Sequence, residues 1–337
     1  MDIQHNHMKL TASEVSFLWR TYIADSMSIC VFTYLLSFIE DSDVKHVVQH
    51  AIDLSQQHID IIHGIFTDEK IPIPDGFSIE KDVNPNAKRL FSDPFCLHYL
   101  KMMSKGGLSV YSNVIPNIYR EDILSFFSKA LKSTVQLNDE VTEILLKKGI
   151  QVRPPTIPYP QKVEYVHKQS FLLEGLNKRP LNGIEITNLY SNIQTNQLGA
   201  ALATAFSQVV KSKKIRNYIL RGKDISIKHV KIFSDYLAQQ SLPVPVSLEQ
   251  EITDSPESPF SDKLILFHFS LMNYSGIGNY GMAISESLRS DLAIDFSRLL
   301  AEVLKFGEDG INLMIAFEWL EQGPLAVDRE EIQRHKE

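Results

Sequence analysis

The most constraining feature of the sequence is a repeat. Residues 58–74 read HIDIIHGIFTDEKIPIP, and residues 229–245 read HVKIFSDYLAQQSLPVP. Each stretch opens with a histidine inside a helical apolar pattern and closes with two prolines that alternate with hydrophobic residues. Proline cannot continue a helix, so both stretches end a helix in the same way. Because the same pattern of helix end occurs twice, the chain is expected to contain two copies of one structural unit.

The register between the two copies extends over most of the chain. Residues 10–19 align with 181–190 at an offset of 171 positions, and the offset falls to 169 where FSD at 91–93 meets FSD at 260–262. An ordered register of this length indicates an internal duplication. The matching positions include Glu14/Glu185, Leu18/Leu189, Ser55/Ser226, His58/His229, Tyr111/Tyr280, Asp122/Asp291 and Phe127/Phe296.

Apolar periodicity predicts four helices in each copy and no strands. Short polar turns make helices one and two antiparallel, and likewise helices three and four, whereas about 20 residues separate helices two and three. Two hairpins joined by a long crossover are the ferritin-like arrangement. We therefore predict an all-α fold of two tandem ferritin-like four-helix bundles. The predicted helices are 10–39, 43–69, 93–117 and 120–147 in the first copy, and 182–210, 213–240, 262–286 and 289–320 in the second.

A proline-rich segment separates the copies. VRPPTIPYPQK, residues 152–162, favours extended polyproline II geometry, which is more typical of a domain linker than of a ligand for a proline-binding module. The predicted organisation is a first bundle (1–150), a linker and lead-in (151–180), a second bundle (181–325) and a C-terminal tail (326–337).

Composition narrows the class of protein. The net charge of −7 argues against a general nucleic-acid binder, and two cysteines, Cys30 and Cys96, give no disulfide framework and fit a reduced cytoplasmic setting. The N-terminus lacks the pattern of a signal peptide. The most apolar run, residues 27–39, is shorter than the roughly 20 residues that span a bilayer, so no membrane association is expected.

The repeated histidine lies on the predicted inward face of helix two in both copies. Counted from the turn between helices one and two, Asp25 lies level with His58, and Asn196 lies level with His229. Each bundle is therefore predicted to bury a carboxylate or amide beside an imidazole. The simpler interpretation is a hydrogen-bonded core pair, because an unpaired buried polar group is costly.

The alternative interpretation is a metal site or a proton-transfer site, because imidazole is a common metal ligand. A ferritin-like di-iron centre needs a Glu-x-x-His pair on each of two helices, but Ser55 and Ser226 stand three residues before the histidines. A sparser site for iron or another divalent metal stays open, whereas no catalytic or cofactor-binding residue is predicted. The candidate metal ligands are His58, Asp25, His229, Asn196, Glu302 and Tyr280.

The turns between helices one and two differ in charge. Residues 39–47, IEDSDVKHV, are acidic, whereas residues 210–218, VKSKKIRNY, are basic. Opposite patches favour electrostatic head-to-tail association between the bundles or between chains, the latter giving a homo-oligomer through the charged bundle ends, and ordinary solvated surface is the alternative. Sedimentation that is unchanged between low and high salt would exclude the oligomer.

Several segments together resemble a known family: LWRTYIADSMSIC, RPPTIPYPQKVEYVHKQSF, IEITNLYSNIQTNQLG, PFSDKLILFH and SGIGNYGMAISESLRSDLA. Across residues 8–325 the chain resembles the tandem-bundle proteins of spore-forming Gram-positive bacteria in domain-of-unknown-function family 3231. The resemblance implies a ferritin-like fold distantly similar to spore coat proteins, a sporulation-related setting and no established activity. We therefore favour a non-catalytic structural or interaction protein over a metal (iron)-binding or redox protein with a reduced ferritin-like site. A third hypothesis is a small-molecule carrier that uses a cavity between helices, which a co-purified ligand would support.

Overall fold

The computed structural model describes residues 8–151, 153–172 and 179–329, and the regular secondary structure in these ranges is helical. The predicted all-α class is confirmed. Parts of the predicted linker (152 and 173–178) and of the predicted tail (330–337) lie outside the described residues. The eight long helices are α1 (Ala12–Leu36), α2 (Ser42–Asp68), α3 (Asp93–Val114), α4 (Glu121–Lys147), α5 (Gly183–Val209), α6 (Lys213–Ala238), α7 (Asp262–Glu286) and α8 (Ser290–Ala316).

The helices pack in the order that the duplication predicts. In the first half α1 lies along α2 and α3 lies along α4, and in the second half α5 lies along α6 and α7 lies along α8. Further contacts join the two hairpins of each half, through α2 and α4 in the first and through α5 and α7 in the second. The long helices of each half are thus in contact both within and between its two hairpins.

The buried residues that the structure describes form three clusters, and the largest of them belongs to both halves. It includes Phe32 and Tyr99 from the first half together with Phe206 and Phe260 from the second. Two outer clusters each belong to one half, around Leu18 in the first and around the residues near Tyr280 in the second. The halves are therefore joined by a continuous hydrophobic core, whose burial favours their association.

The two long crossovers pair with each other, which the sequence did not predict. Val83 forms an antiparallel bridge with Phe260, and Phe91 forms one with Ile252. The second bridge is the copy of the first, because 83 + 169 = 252 and 91 + 169 = 260. Each bridge therefore joins the same two positions of the repeat, with the roles of the two halves exchanged.

The hydrogen bonds around these bridges follow the same exchange. The Ser261 amide donates to the Asp82 carbonyl at 3.0 Å, and its copy, the Ser92 amide, donates to the Glu251 carbonyl at 3.1 Å. The side chains repeat the pattern, since the Ser261 hydroxyl bonds the Asp82 carboxylate at 2.6 Å and the Ser92 hydroxyl bonds the Glu251 carboxylate at 2.5 Å. The halves are thus related by an approximate twofold axis, as in an isologous dimer.

Helix α1 carries the most apolar run of the chain, and much of that run is buried in the shared core. Within the ranges that the structure describes, no helix combines the length and the apolar character needed to cross a membrane. Cys30 and Cys96 are free and buried, and desolvation raises the pKa of each thiol to about 12.

Candidate functional site

The repeated tripeptide FSD fixes the start of helix three in each half. Ser92 and Ser261 are the N-caps of α3 and α7, where each side chain accepts a hydrogen bond from a backbone amide three residues later. The carboxylate of Asp93 accepts hydrogen bonds from the amides of Glu40 and Asp41 at 3.1 and 2.9 Å. Each tripeptide therefore combines a crossover contact from its phenylalanine with a helix cap.

The copy of Asp93 performs the same task in the second half. Asp262 accepts hydrogen bonds from the amides of Lys211 and Ser212 at 3.1 and 2.8 Å. In both halves the aspartate thus ties the turn between helices one and two to the start of helix three. The FSD tripeptide, identical in the two halves, thus makes the same structural contacts in each.

A buried glutamate ties the opposite end of each half. The Glu14 carboxylate closes the capping box of α1 and also accepts hydrogen bonds from the amides of Tyr119 and Arg120 at 3.0 and 2.8 Å. Its copy Glu185 accepts from the Arg289 amide at 3.0 Å and from the Arg179 guanidinium at 2.8 and 2.7 Å. Burial acts to raise the pKa of each carboxyl, but these donors outweigh it and lower the pKa.

In the first half, the structure brings His58 and Asp25 together. Nδ1 of His58 lies 3.0 Å from a carboxylate oxygen of Asp25, and the Ser55 hydroxyl donates to the other oxygen at 2.9 Å. The His58 ring also makes edge contacts with the rings of Tyr111 and Phe126. The pair is buried among aromatic side chains and has local hydrogen-bond partners.

In the second half, the predicted partners Asn196 and His229 are linked through a third side chain. The hydroxyl of Tyr280 lies between them, 2.7 Å from Nδ1 of His229, and accepts from the Asn196 amide at 2.9 Å. Nε2 of His229 lies 3.0 Å from the Glu302 carboxylate. Residue spacing gave the height of Asn196 on its helix, but it could not show that a tyrosine from α7 would fill the gap.

The two histidines therefore meet a carboxylate on opposite ring nitrogens. Where the first half has Asp25 the second has Asn196, and where the second half has Glu302 the first has Ser133, since 133 + 169 = 302. The carboxylate comes from helix one in the first half and from helix four in the second. Each imidazole has one anionic partner, but the geometry of the two sites differs.

Burial favours the neutral form of the second-half histidine. Burial lowers the pKa of His229, although the Glu302 carboxylate acts to raise it. Burial acts to raise the pKa of Glu302, but hydrogen bonds from Lys228 and His229 outweigh it and lower the pKa. Because a carboxylate only accepts, Nε2 of neutral His229 carries the ring proton, and Nδ1 accepts a hydrogen bond from the Tyr280 hydroxyl.

The predicted metal ligands form two small sets. Asp25 and His58 make one, and His229 with Tyr280 and Glu302 makes the other, with Asn196 bound to the tyrosine. Among the residues that the structure describes, no three or more His, Cys, Asp or Glu side chains are grouped so that they could hold a metal. Catalytic zinc sites use about three protein ligands, and each of these sets offers one imidazole and one carboxylate.

Sequence reasoning missed a third buried histidine, at the junction of the halves. Nε2 of His268 lies 2.6 Å from the Tyr99 hydroxyl, and both side chains are almost fully buried. The two residues are copies of each other, because 99 + 169 = 268. Their alignment in the repeat was visible in the sequence, but only the twofold arrangement of the halves shows that they meet. Burial lowers the pKa of His268 to about 3.

The chain matches one protein family and is similar to known proteins. A family model described as "Protein of unknown function (DUF3231)" matches residues 1–163 and again residues 172–332. The uncharacterized protein YvdQ of Bacillus subtilis (strain 168) is 24% identical over 147 residues, which cover 42% of this chain and 85% of that protein. A solved structure described as a "putative spore coat protein" of Bacillus halodurans C-125 is 20% identical, covers 44% of this chain and 98% of that one, and superposes with a TM-score of 0.42.

Proposed function

Because the chain belongs to the DUF3231 family of proteins of unknown function, we propose that it is a non-catalytic structural or interaction protein. In this proposal two tandem ferritin-like four-helix bundles, residues 1–150 and 181–325, are locked into one unit. The segment 151–180 is the linker and lead-in, and 326–337 is a tail. The helix pairs, the long crossovers and the two family matches support this division. A cytoplasmic location stays a prediction from the cysteine content, and a spore-associated location stays a prediction from the resemblance.

The observation that supports the proposal is that acidic residues identical at corresponding positions of the two halves bind backbone amides at the helix ends. Glu14 and Glu185 accept backbone amides from the turn before helix four, and Asp93 and Asp262 accept them from the turn after helix one. These shared side chains hold helix ends together. The shared histidine, in contrast, meets its carboxylate on a different ring nitrogen in each half, so the duplication did not keep one ligand geometry.

Metal analysis of the protein purified without added metal or chelator tests the proposal against the metal-binding or redox alternative. We expect less than about 0.1 equivalent of iron, zinc or manganese per chain, because a sparse ligand set binds such metals weakly. His58→Ala and His229→Ala are each expected to lower the free energy of unfolding by about 2–4 kcal/mol without changing the metal content. His63→Ala, at an exposed position of the same helix as His58, is the control for stability.

A different outcome would favour the alternative. About one equivalent of metal per chain, lost in His229→Ala but retained in His63→Ala, would contradict the structural proposal.

Self-association through the charged turns stays a prediction. In the acidic turn, Asp41 and Asp43 already bind Lys148 of the same chain at 2.7 and 3.1 Å. This pairing reduces the charge that the acidic end offers to a second molecule, so we expect any such association to be weak and sensitive to salt.

A further inference from the structure

The second half contains a cavity of about 60 Å³ between α5, α6, α7 and α8. Asn196, Ser226, Asn273 and Tyr280 contribute polar side chains to its wall, and Phe269 and Phe306 contribute apolar ones. One water needs about 10–15 Å³ of such volume, so the cavity has room for a molecule of about four non-hydrogen atoms. Tyr280 is also one end of the Tyr280–His229–Glu302 chain of hydrogen bonds, so the cavity adjoins that chain.

The cavity depends on features that the first half lacks. A Cβ added at Gly276 would meet no atom within 4 Å, whereas a Cβ at its copy, Gly107, would lie 3.2 Å from the Thr134 side chain. Asn196 stands where the first half has Asp25, and its side-chain amide donates to the Tyr280 hydroxyl. Ser226 therefore has no carboxylate partner like the one that Ser55 binds in the first half. Beside Gly276 the second half therefore has open space, whereas the Thr134 side chain lies close to the corresponding position of the first half.

The walls define the chemistry that the cavity can accept. Charged side chains are absent from the described residues that line it, so an ion bound there would lose part of its hydration without gaining a charged partner. Hydroxyl and amide groups offer donors and acceptors to an uncharged molecule. The Tyr280 hydroxyl is oriented in advance, because it donates to Nδ1 of His229 and accepts from Asn196.

We propose that the second half binds a small uncharged molecule with a hydroxyl or amide group in this cavity, next to the Tyr280 oxygen. This binding function goes beyond the structural role and does not depend on it. The pre-formed polar groups fix the orientation of the ligand, and the two phenylalanines cover its apolar part.

Ligand-observed NMR with acetamide on the full chain tests the proposal, and acetate serves as an isosteric anion. We expect acetamide to bind with a Kd in the millimolar range, as befits about four non-hydrogen atoms, and acetate not to bind. Gly276→Leu should fill the cavity and weaken acetamide binding by about fivefold or more. Gly278→Leu, at an exposed position of the same helix where an added Cβ meets no atom within 4 Å, should leave binding unchanged.

Ser226→Ala provides a second test with little risk to folding, and it should weaken acetamide binding by a few fold because one polar wall group is lost. Far-UV circular dichroism confirms that each variant is folded. The proposal is overturned if acetamide does not bind at about 100 mM, which would mean a cavity holding water only. It is also overturned if acetate binds equally well, or if both glycine variants bind acetamide like the parent.

Discussion

At the scale of single residues, both halves contain the repeated histidine, and each histidine contacts a carboxylate. The carboxylate is Asp25 of the first helix in one half and Glu302 of the fourth helix in the other. Counting along the helices predicted that Asp25 would lie level with His58, and the two side chains are in contact. For Asn196 the same counting predicted a place level with His229 but not the side chain between them, because periodicity gives the height and face of a residue and not the side chains that arrive from other helices. The Tyr280 hydroxyl lies between Asn196 and His229.

The pair Tyr99–His268 gives a residue-scale prediction. His268→Phe leaves the buried Tyr99 hydroxyl without its partner, so we expect the free energy of unfolding to fall by about 1–3 kcal/mol in chemical denaturation. Adding Tyr99→Phe removes the unpaired hydroxyl as well, and should restore most of the loss within this aromatic cluster. A double variant that is less stable than His268→Phe alone would contradict this account of the pair.

The same pair predicts a pH dependence. The pKa of His268 falls from an ordinary value near 6.5 to about 3 in the folded protein, so folding opposes its protonation. The stability from this residue is fully present above pH 6.5 and is lost as the pH falls below that value, by at most about 1.4 kcal/mol per pH unit. Between pH 6.5 and 4.5 the double variant should therefore lose less stability than the parent. Equal slopes would show that His268 does not titrate in this way.

At the scale of helices, local signals placed the elements well. The prediction of 262–286 coincides with Asp262–Glu286, because a serine cap marks the start of that helix. Proline-rich stops also ended the second helix of each half close to where the sequence placed its end. The bridges between the crossovers could not be predicted, because Val83 and Phe260 are far apart in the chain and leave no local pattern.

Glu185 gives an element-scale prediction. Its carboxylate joins the start of α5, the turn before α8 and Arg179, so Glu185→Gln should cost about 3 kcal/mol of unfolding free energy. Glu14→Gln is the matched variant and should cost less, about 1–2 kcal/mol, because Glu14 accepts from amides and a hydroxyl without a guanidinium.

The pH dependence of these variants supplies a check. The pKa of each carboxyl is lowered, so its contribution is present above the ordinary value near 4.5 and is lost as the pH falls through the folded pKa. Both variants should therefore approach the stability of the parent at low pH in thermal or denaturant unfolding. Losses below about 0.5 kcal/mol at pH 7 would show that the glutamates do not hold the helix ends.

At the scale of the whole molecule, the two halves form the kind of contact seen between the subunits of a symmetric dimer. The bridges, their flanking hydrogen bonds and the Tyr99–His268 pair all lie close to the approximate twofold axis. From the sequence we predicted two bundles joined by a linker, without a hydrophobic core common to both. The shared hydrophobic cluster shows that burial between the halves, in addition to the linker, connects them.

Cleavage of the linker tests most directly whether the halves form one structural unit. The segment near Tyr159 is exposed, so a protease site inserted there can be cut in the folded full-length chain. We expect the two fragments to co-elute in size-exclusion chromatography at micromolar concentration and to unfold in one cooperative transition. Phe91→Ser combined with Phe260→Ser, which removes buried rings from the shared core, should release the fragments. Separation of the cleaved parent protein into two independently folded fragments would contradict the account.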